Sequence, residues 1–208
     1  MDLSSLVRVG ILGGTFNPIH NQHLLLAKCA YEQLMLEKVL VIPSGVSYLK
    51  AGTNVLPAGI RYDMCMIATK GIPYLEVSDI EIKRQGNSYT RDTLKELLEE
   101  DPDRTLYYII GADTLMMLDK WRDPEYIFRH CVITVASRPG GDRYSDDMIK
   151  EKISQYETVY SAEIERIDIE ISGLSSSMIR ESASRGEDIS AYVPPELASY
   201  IRENNLYK

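Results

Sequence analysis

The chain has 208 residues, 44% of them hydrophobic and 26% charged, which suits one folded domain with a sizeable core and excludes a disordered, collagenous or disulfide-stapled chain. A formal net charge of −8 excludes a surface that coats nucleic acid, whose affinity comes from basic side chains displacing counterions, but leaves room for a small anion held by local donors. No run approaches the roughly 20 apolar residues that span a bilayer, no basic segment precedes the first apolar run, and Cys29, Cys65 and Cys131 form no CxxC, so the expectation is a cytoplasmic protein with reduced thiols and no membrane partner.

Residues 7–12 (VRVGIL) predict a strand, 21–34 an amphipathic helix and 38–43 (KVLVIP) a second strand, together a βαβ unit. A helix over 58–70 follows Pro57, short strands follow near 74–78 and 80–82, and a helix over 90–100 is stopped by Asp101-Pro102. Residues 105–110 (TLYYII) are almost continuously apolar, as in a strand buried on both faces, and 131–136 (CVITVA) repeat the pattern. A helix is expected at 114–118. Residues 138–142 have turn chemistry, 145–156 read as a helix, and 165–171 alternate like a strand at a sheet edge. Helices at 176–184 and 195–204 complete the chain. This alternation predicts an α/β fold with a Rossmann-like doubly wound parallel sheet, in one domain over 1–208 whose C-terminal helical part is 172–208. Ligands of such sheets bind outside the carboxyl ends of the strands, which singles out residues 13–23, 44–50, 111–121 and 137–141.

The most informative segment is GGTFNPIHNQH, from Gly13 to His23. It runs from a strand end into a helix, so Gly13 and Gly14 free the backbone to approach a ligand while the helix start offers unpaired N–H groups to a phosphate. His20 and His23, two of the three histidines, stand three apart in the first turn and share a helix face. Two glycines after a strand also suit a plain tight turn, and an HxxH pair alone is often incidental. A zinc site lacks a third ligand at metal-like spacing, so no metal-binding residues are expected. The patterns GxxxxGK[ST] and GxGxxG are both absent, which removes the main signatures of P-loop hydrolysis and of dinucleotide dehydrogenases.

GGTFNPIHNQH resembles the GGTFDPxHxGH segment of bacterial nicotinate mononucleotide adenylyltransferases, in the nucleotidyltransferase superfamily marked by HxGH. Further similarities follow in order: Tyr89-Thr90-Arg91-Asp92-Thr93 to YTxDT, Ile109-Ile110-Gly111-Ala112-Asp113 to IIGAD, then Trp121, Arg138-Pro139-Gly140 to the RPG loop, and Ser175-Ser176-Ser177-Met178-Ile179-Arg180 to SSTxIR. The resemblance implies that His20, His23 and Arg180 are catalytic and contact the ATP phosphates. It assigns ATP binding to Gly13, Gly14, Thr15, Phe16, Lys50, Gly111, Asp113, Ser175, Ser176 and Ser177, and acceptor binding to Thr90, Trp121 and Arg138. The simpler roles stay open beside these: a solvated surface lysine at 50, helix caps at Thr90, Asp113 and the serine run, and a packing tryptophan at 121.

Two departures stand out: Asn17 for the usual Asp and Gln22 for the Gly of HxGH. Residues 44–50 (SGVSYLK) also lack the Pro-Pro-His-Lys of many relatives. The activity implied is transfer of AMP from ATP to nicotinate mononucleotide, giving nicotinate adenine dinucleotide and pyrophosphate in NAD biosynthesis. Mg²⁺ would be held mainly by the substrate phosphates. The partners implied are ATP and nicotinate mononucleotide, with no nucleic acid polymer. Alternatives are adenylyl or cytidylyl transfer to another acceptor, or a catalytically inactive nucleotide-binding module.

Overall fold

The computed structural model describes residues 7–46, 55–84, 86–137, 144–169 and 173–208. Six strands form one sheet in the order β3-β2-β1-β4-β5-β6, where β1 is Val7–Gly14, β2 Lys38–Pro43, β3 Leu75–Val77, β4 Arg104–Gly111, β5 Val132–Ser137 and β6 Ile164–Asp168. The pairs β1–β4, β4–β5 and β5–β6 are parallel, as the doubly wound reading expects. The chain divides into two compact units that interleave in sequence.

The first unit comprises Met1–Leu12, Leu26–Leu40 and Tyr89–Glu170. Its strands are the near-continuous apolar runs of the sequence, because a central parallel strand is covered on both faces: Val9, Ile11, Leu106, Ile109, Ile133 and Val135 are all buried. Gly10 permits close packing here, since a Cβ would lie 2.8 Å from Leu36 Cδ1 and 3.0 Å from Val39 Cγ2. The remaining helices of this unit are α4 (Thr90–Glu100), α5 (Ala112–Leu115), α6 (Pro124–His130) and α7 (Asp146–Tyr160). Strand β6 lies at the sheet edge as expected, and the Gln33 amide brackets its end, donating to Asp168 O at 2.8 Å and accepting from Asp168 N at 3.0 Å.

The second unit comprises Gly13–Leu25, Val41–Ser88 and Ile171–Lys208. It holds the carboxyl ends of β1 and β2, the start of α1 (Asn21–Gln33), and α2 (Ala58–Thr69), α3 (Ile80–Lys83), α8 (Ser176–Ser184) and α9 (Pro195–Glu203). Helix α2 buries Arg61, Met64, Cys65 and Ala68, one face at helical spacing, and packs on α9 and β3.

Two local expectations are corrected and one helix is added. Residues 80–82 are the helical turn α3 rather than a strand: the main-chain N–H of Lys83 donates to Asp79 O at 2.9 Å, and the two side chains pair at 3.0 Å. Three alternating residues cannot separate the two periods. The helix expected at 114–118 is instead α5 followed by a 3-10 turn, Leu118–Lys120, and its N-cap is Gly111, not Asp113. Helix α6 was absent from the sequence reading although its start carries the usual signals, an Asp123 side chain accepting from Tyr126 N at 3.3 Å and a proline in the first turn.

Candidate active site

The second unit gathers most of the phosphate-binding candidates. Strand β1 ends at Gly14, where a Cβ would sit 3.0 Å from the Phe16 ring, so glycine lets that ring fold back over the strand end. Phe16 has a left-handed backbone (φ 48°), a strained state for a bulky residue, and its buried ring meets the His23 ring edge-on at 5.1 Å. The Asn17–Pro18 peptide is cis, and α1 begins at Asn21.

His20 and His23 face one another. Their rings stack with centroids 3.6 Å apart and planes 21° from parallel. The main-chain N–H of His20 donates to His23 Nδ1 at 3.2 Å, so the proton of a neutral His23 sits on Nε2. His20 is only 5% exposed, and among the described residues its buried Nδ1 has no hydrogen-bond partner. Burial holds its pKa down to about 4, so the ring is neutral near pH 7 and carries one N–H donor and one acceptor. A buried ring nitrogen beside a helix start is placed to meet a polar ligand.

Arg180 lies beside the same loop. Its Nη1 donates to Asn17 O at 2.9 Å and its Nη2 to Ser177 Oγ at 3.1 Å. Ser176 Oγ donates to Pro18 O at 2.9 Å, and Ser175 caps α8 by accepting from Met178 N at 3.3 Å. The serine run therefore is a helix cap and also a fastening between α8 and the loop of residues 17 and 18. The Asn17 side chain is part of that fastening: its Oδ1 accepts from the Tyr207 hydroxyl at 3.0 Å and from Leu56 N at 3.4 Å.

Arg61 was missed by the sequence reading. It is 2% exposed and gives its donors to main-chain carbonyls: Nη1 to Thr15 O at 2.7 Å, Nη2 to Ser44 O at 2.6 Å and Gly45 O at 2.9 Å, Nε to Leu56 O at 2.9 Å. One planar guanidinium thus joins the ends of β1 and β2 to the approach of α2. The available signal was a lone cation on the apolar face formed with Met64, Cys65 and Ala68. Tyr207 had no such signal, because its partner Asn17 is far away in sequence.

The acceptor candidates lie in the first unit. Thr90 opens α4 and its Oγ1 is 3.2 Å from the Tyr108 hydroxyl. The Tyr108 ring meets Trp121 edge-on, centroids 6.0 Å apart at 87°. Trp121 directly follows the 3-10 turn, which is tied to α7: Lys152 Nζ donates to Asp119 Oδ2 at 3.1 Å, Asp119 N to the Tyr156 hydroxyl at 3.2 Å, and Tyr156 in turn to Leu115 O at 2.9 Å. Asp113 is exposed in the first turn of α5, and a Cβ on Gly111 would meet nothing within 4 Å, so packing does not require glycine there. Lys50 and Arg138 lie outside the described residues.

A model of the cytidylyltransferase-like family matches residues 11–182. A curated protein of Lachnoclostridium phytofermentans, named "Probable nicotinate-nucleotide adenylyltransferase", is 40% identical over 96% of this chain and 98% of its own length. One of the same name from Clostridium botulinum is 38% identical over 98% of this chain and its whole length. The chain belongs to the nicotinate-nucleotide adenylyltransferases of the cytidylyltransferase-like family. The fold agrees with that of a solved Plasmodium falciparum nicotinic acid mononucleotide adenylyltransferase in complex with NaAD, with a TM-score of 0.77 at 22% identity over 96% of this chain and 97% of that one. The cytidylyltransferase-like match runs from within β1 through most of α8, so it includes His20, His23, Arg61 and Arg180.

Proposed function

We propose that this chain transfers the adenylyl group of ATP to nicotinate mononucleotide, releasing pyrophosphate and giving nicotinate adenine dinucleotide in NAD biosynthesis. Full-length similarity to curated relatives of that name supports the reaction. The observation that carries the site assignment is the stacked pair His20 and His23, with a buried unpartnered nitrogen at a helix start. In this reading the acceptor phosphate attacks the α-phosphorus of ATP in line, and the bond to the pyrophosphate oxygen breaks. No side chain is needed as a nucleophile, so the protein acts by positioning and by stabilising charge.

His20, His23 and Arg180 are the catalytic donors to the phosphates in this reading. Gly13, Gly14, Thr15 and Phe16 shape the loop under the nucleotide, and Ser175, Ser176 and Ser177 with Lys50 add contacts. Gly111 and Asp113 serve the adenosine end; Thr90, Trp121 and Arg138 hold the acceptor. The amide oxygen of Asn17 takes up two donors, the acceptor work open to the aspartate it replaces, which favours an active enzyme over an inactive binding module.

The donors around His20 suit a polyanion, not a bare cation, and among the described residues no group of three or more His, Cys, Asp or Glu could hold a metal ion. Mg²⁺ is accordingly proposed to be held mainly by the substrate phosphates and water. The chain is taken as one nucleotidyltransferase domain, since both units draw residues from β1 and β2. The chain is proposed to work in the cytoplasm, a setting that suits its three free thiols; among the described residues no helix is long and apolar enough to cross a membrane.

The test is pyrophosphate release from ATP and Mg²⁺ with nicotinate mononucleotide, nicotinamide mononucleotide and phosphopantetheine as parallel acceptors. Turnover with the first is expected. Turnover with phosphopantetheine alone would move the assignment to another acceptor, and ATP binding without turnover on any of them would replace it with a binding module.

A further inference from the structure

Tyr207 and Asn17 stand 190 positions apart in sequence, yet the Tyr207 hydroxyl lies 3.0 Å from Asn17 Oδ1. The same oxygen accepts from Leu56 N at 3.4 Å, and a main-chain N–H only donates, so this atom is the acceptor and Tyr207 the donor. Burial pushes the Tyr207 phenol above its usual range, which keeps its proton in place at neutral pH. A second neighbour of the hydroxyl, Met64 Sδ at 3.8 Å, is a weak acceptor and competes poorly for that proton.

The backbone that delivers this hydroxyl is strained. Helix α9 packs on α2 and ends at Glu203; beyond it Asn205 (φ 50°) and Tyr207 (φ 71°) are both left-handed, and Leu206 N donates to Ile201 O at 3.0 Å. Asparagine tolerates that conformation, but tyrosine does not adopt it unless its surroundings hold it there. What the side chain reaches is the loop ahead of α1. Asn17 O accepts from Arg180 Nη1 at 2.9 Å, and Pro18 O accepts from Ser176 Oγ at 2.9 Å. Tyr207 therefore holds the side chain of the residue whose carbonyl holds Arg180, and the direction of the guanidinium depends on where that residue is fixed.

We propose that Tyr207 is a positioning residue for adenylyl transfer: by donating to the Asn17 side chain it fixes the peptide that aims Arg180 at the reacting phosphates. The inference rests on the reading of Arg180 as a phosphate donor in that reaction. A guanidinium that acts mainly on charge built up in the transition state lowers kcat more than it raises KM when it is misaimed.

Its test is steady-state pyrophosphate release with ATP and nicotinate mononucleotide in the parent, Tyr207→Phe, Asn17→Ala and the double variant, each shown by thermal unfolding to be folded at the assay temperature. Tyr207→Phe keeps the ring and removes the hydroxyl. Its kcat is expected to fall about tenfold while KM for either substrate stays within about twofold. In the Asn17→Ala background, where the amide acceptor is gone, the same change should alter kcat by less than about twofold. Asn17→Asp keeps an acceptor at that place, and there Tyr207→Phe should again lower kcat about tenfold. If Asn17→Ala does not fold, the split between kcat and KM in Tyr207→Phe decides. A Tyr207→Phe kcat within about twofold of the parent, a loss carried by KM, or an equal loss with and without the Asn17 side chain would overturn the inference and leave the reaction assigned. A parent that releases no pyrophosphate with any of the three acceptors would overturn the reaction itself, and the inference with it.

Discussion

The main-chain N–H of His20 donates to Nδ1 of His23 while the two imidazoles stack 3.6 Å apart, so one hydrogen bond sets both the tautomer of His23 and the aim of the pair. In the proposed reaction, replacement of either ring removes a donor from where charge builds up during phosphoryl transfer. His20→Ala and His23→Ala are each expected to lower kcat by about 10²–10³-fold, as loss of one pre-aimed donor does elsewhere. Pyrophosphate release at saturating ATP measures this, with thermal unfolding as the control for folding.

Burial of His20 also links stability to pH. The imidazole titrates near 6.5 in the unfolded chain and at about 4 in the folded protein, so between these values the unfolded state binds more protons. Stability from this group is complete above about 6.5 and is lost as pH falls toward about 4, by up to about 3 kcal/mol. His20→Gln should flatten that slope in denaturant titrations at pH 7 and pH 4.5.

A triphosphate beside His20 favours the charged ring and should raise its pKa. ATP binding near pH 5.5 is therefore expected to take up protons, and His20→Gln should abolish most of the uptake. Calorimetry in two buffers of different ionisation heat reads it directly.

Arg61 holds four carbonyls with one guanidinium, and no shorter or rounder cation can reach them all. Arg61→Lys should cost about 2–4 kcal/mol of stability, because buried carbonyls at Thr15, Ser44, Gly45 and Leu56 lose partners. Gly45→Ala should also destabilise, since its Cβ would sit 2.3 Å from the Glu81 carbonyl oxygen. Urea unfolding of the two variants tests both statements.

Asn17 Oδ1 receives two donors, and only an acceptor of that shape can replace it. Asn17→Asp should stay within about 1 kcal/mol of the parent, whereas Asn17→Ala should lose about 1–3 kcal/mol by stranding the Tyr207 hydroxyl and Leu56 N–H. Midpoints of thermal unfolding separate the two outcomes.

Much of this protein was readable from sequence because it is locally encoded. The strand run 38–43 and the helix 90–100 appear with the same bounds in the structure, since period and end signals lie within a few neighbouring residues. The motif around His20 was legible for the same reason: a strand, two glycines and a helix start are consecutive. The turn at 80–83 was not legible, because three alternating residues fit either period and the backbone bonds to Asp79 decide it. Arg61 was not legible as a site residue, because the carbonyls that hold it come from two strand ends and a loop distant in sequence. The partnerships of Asn17 with Tyr207 and of Thr90 with Tyr108 are likewise tertiary: each joins side chains from separate elements. By itself the sequence determined the order of elements and the chemistry at the first strand end, which depend on near neighbours. Tertiary structure alone decided which polar groups would be buried together, because burial is a property of the packed chain.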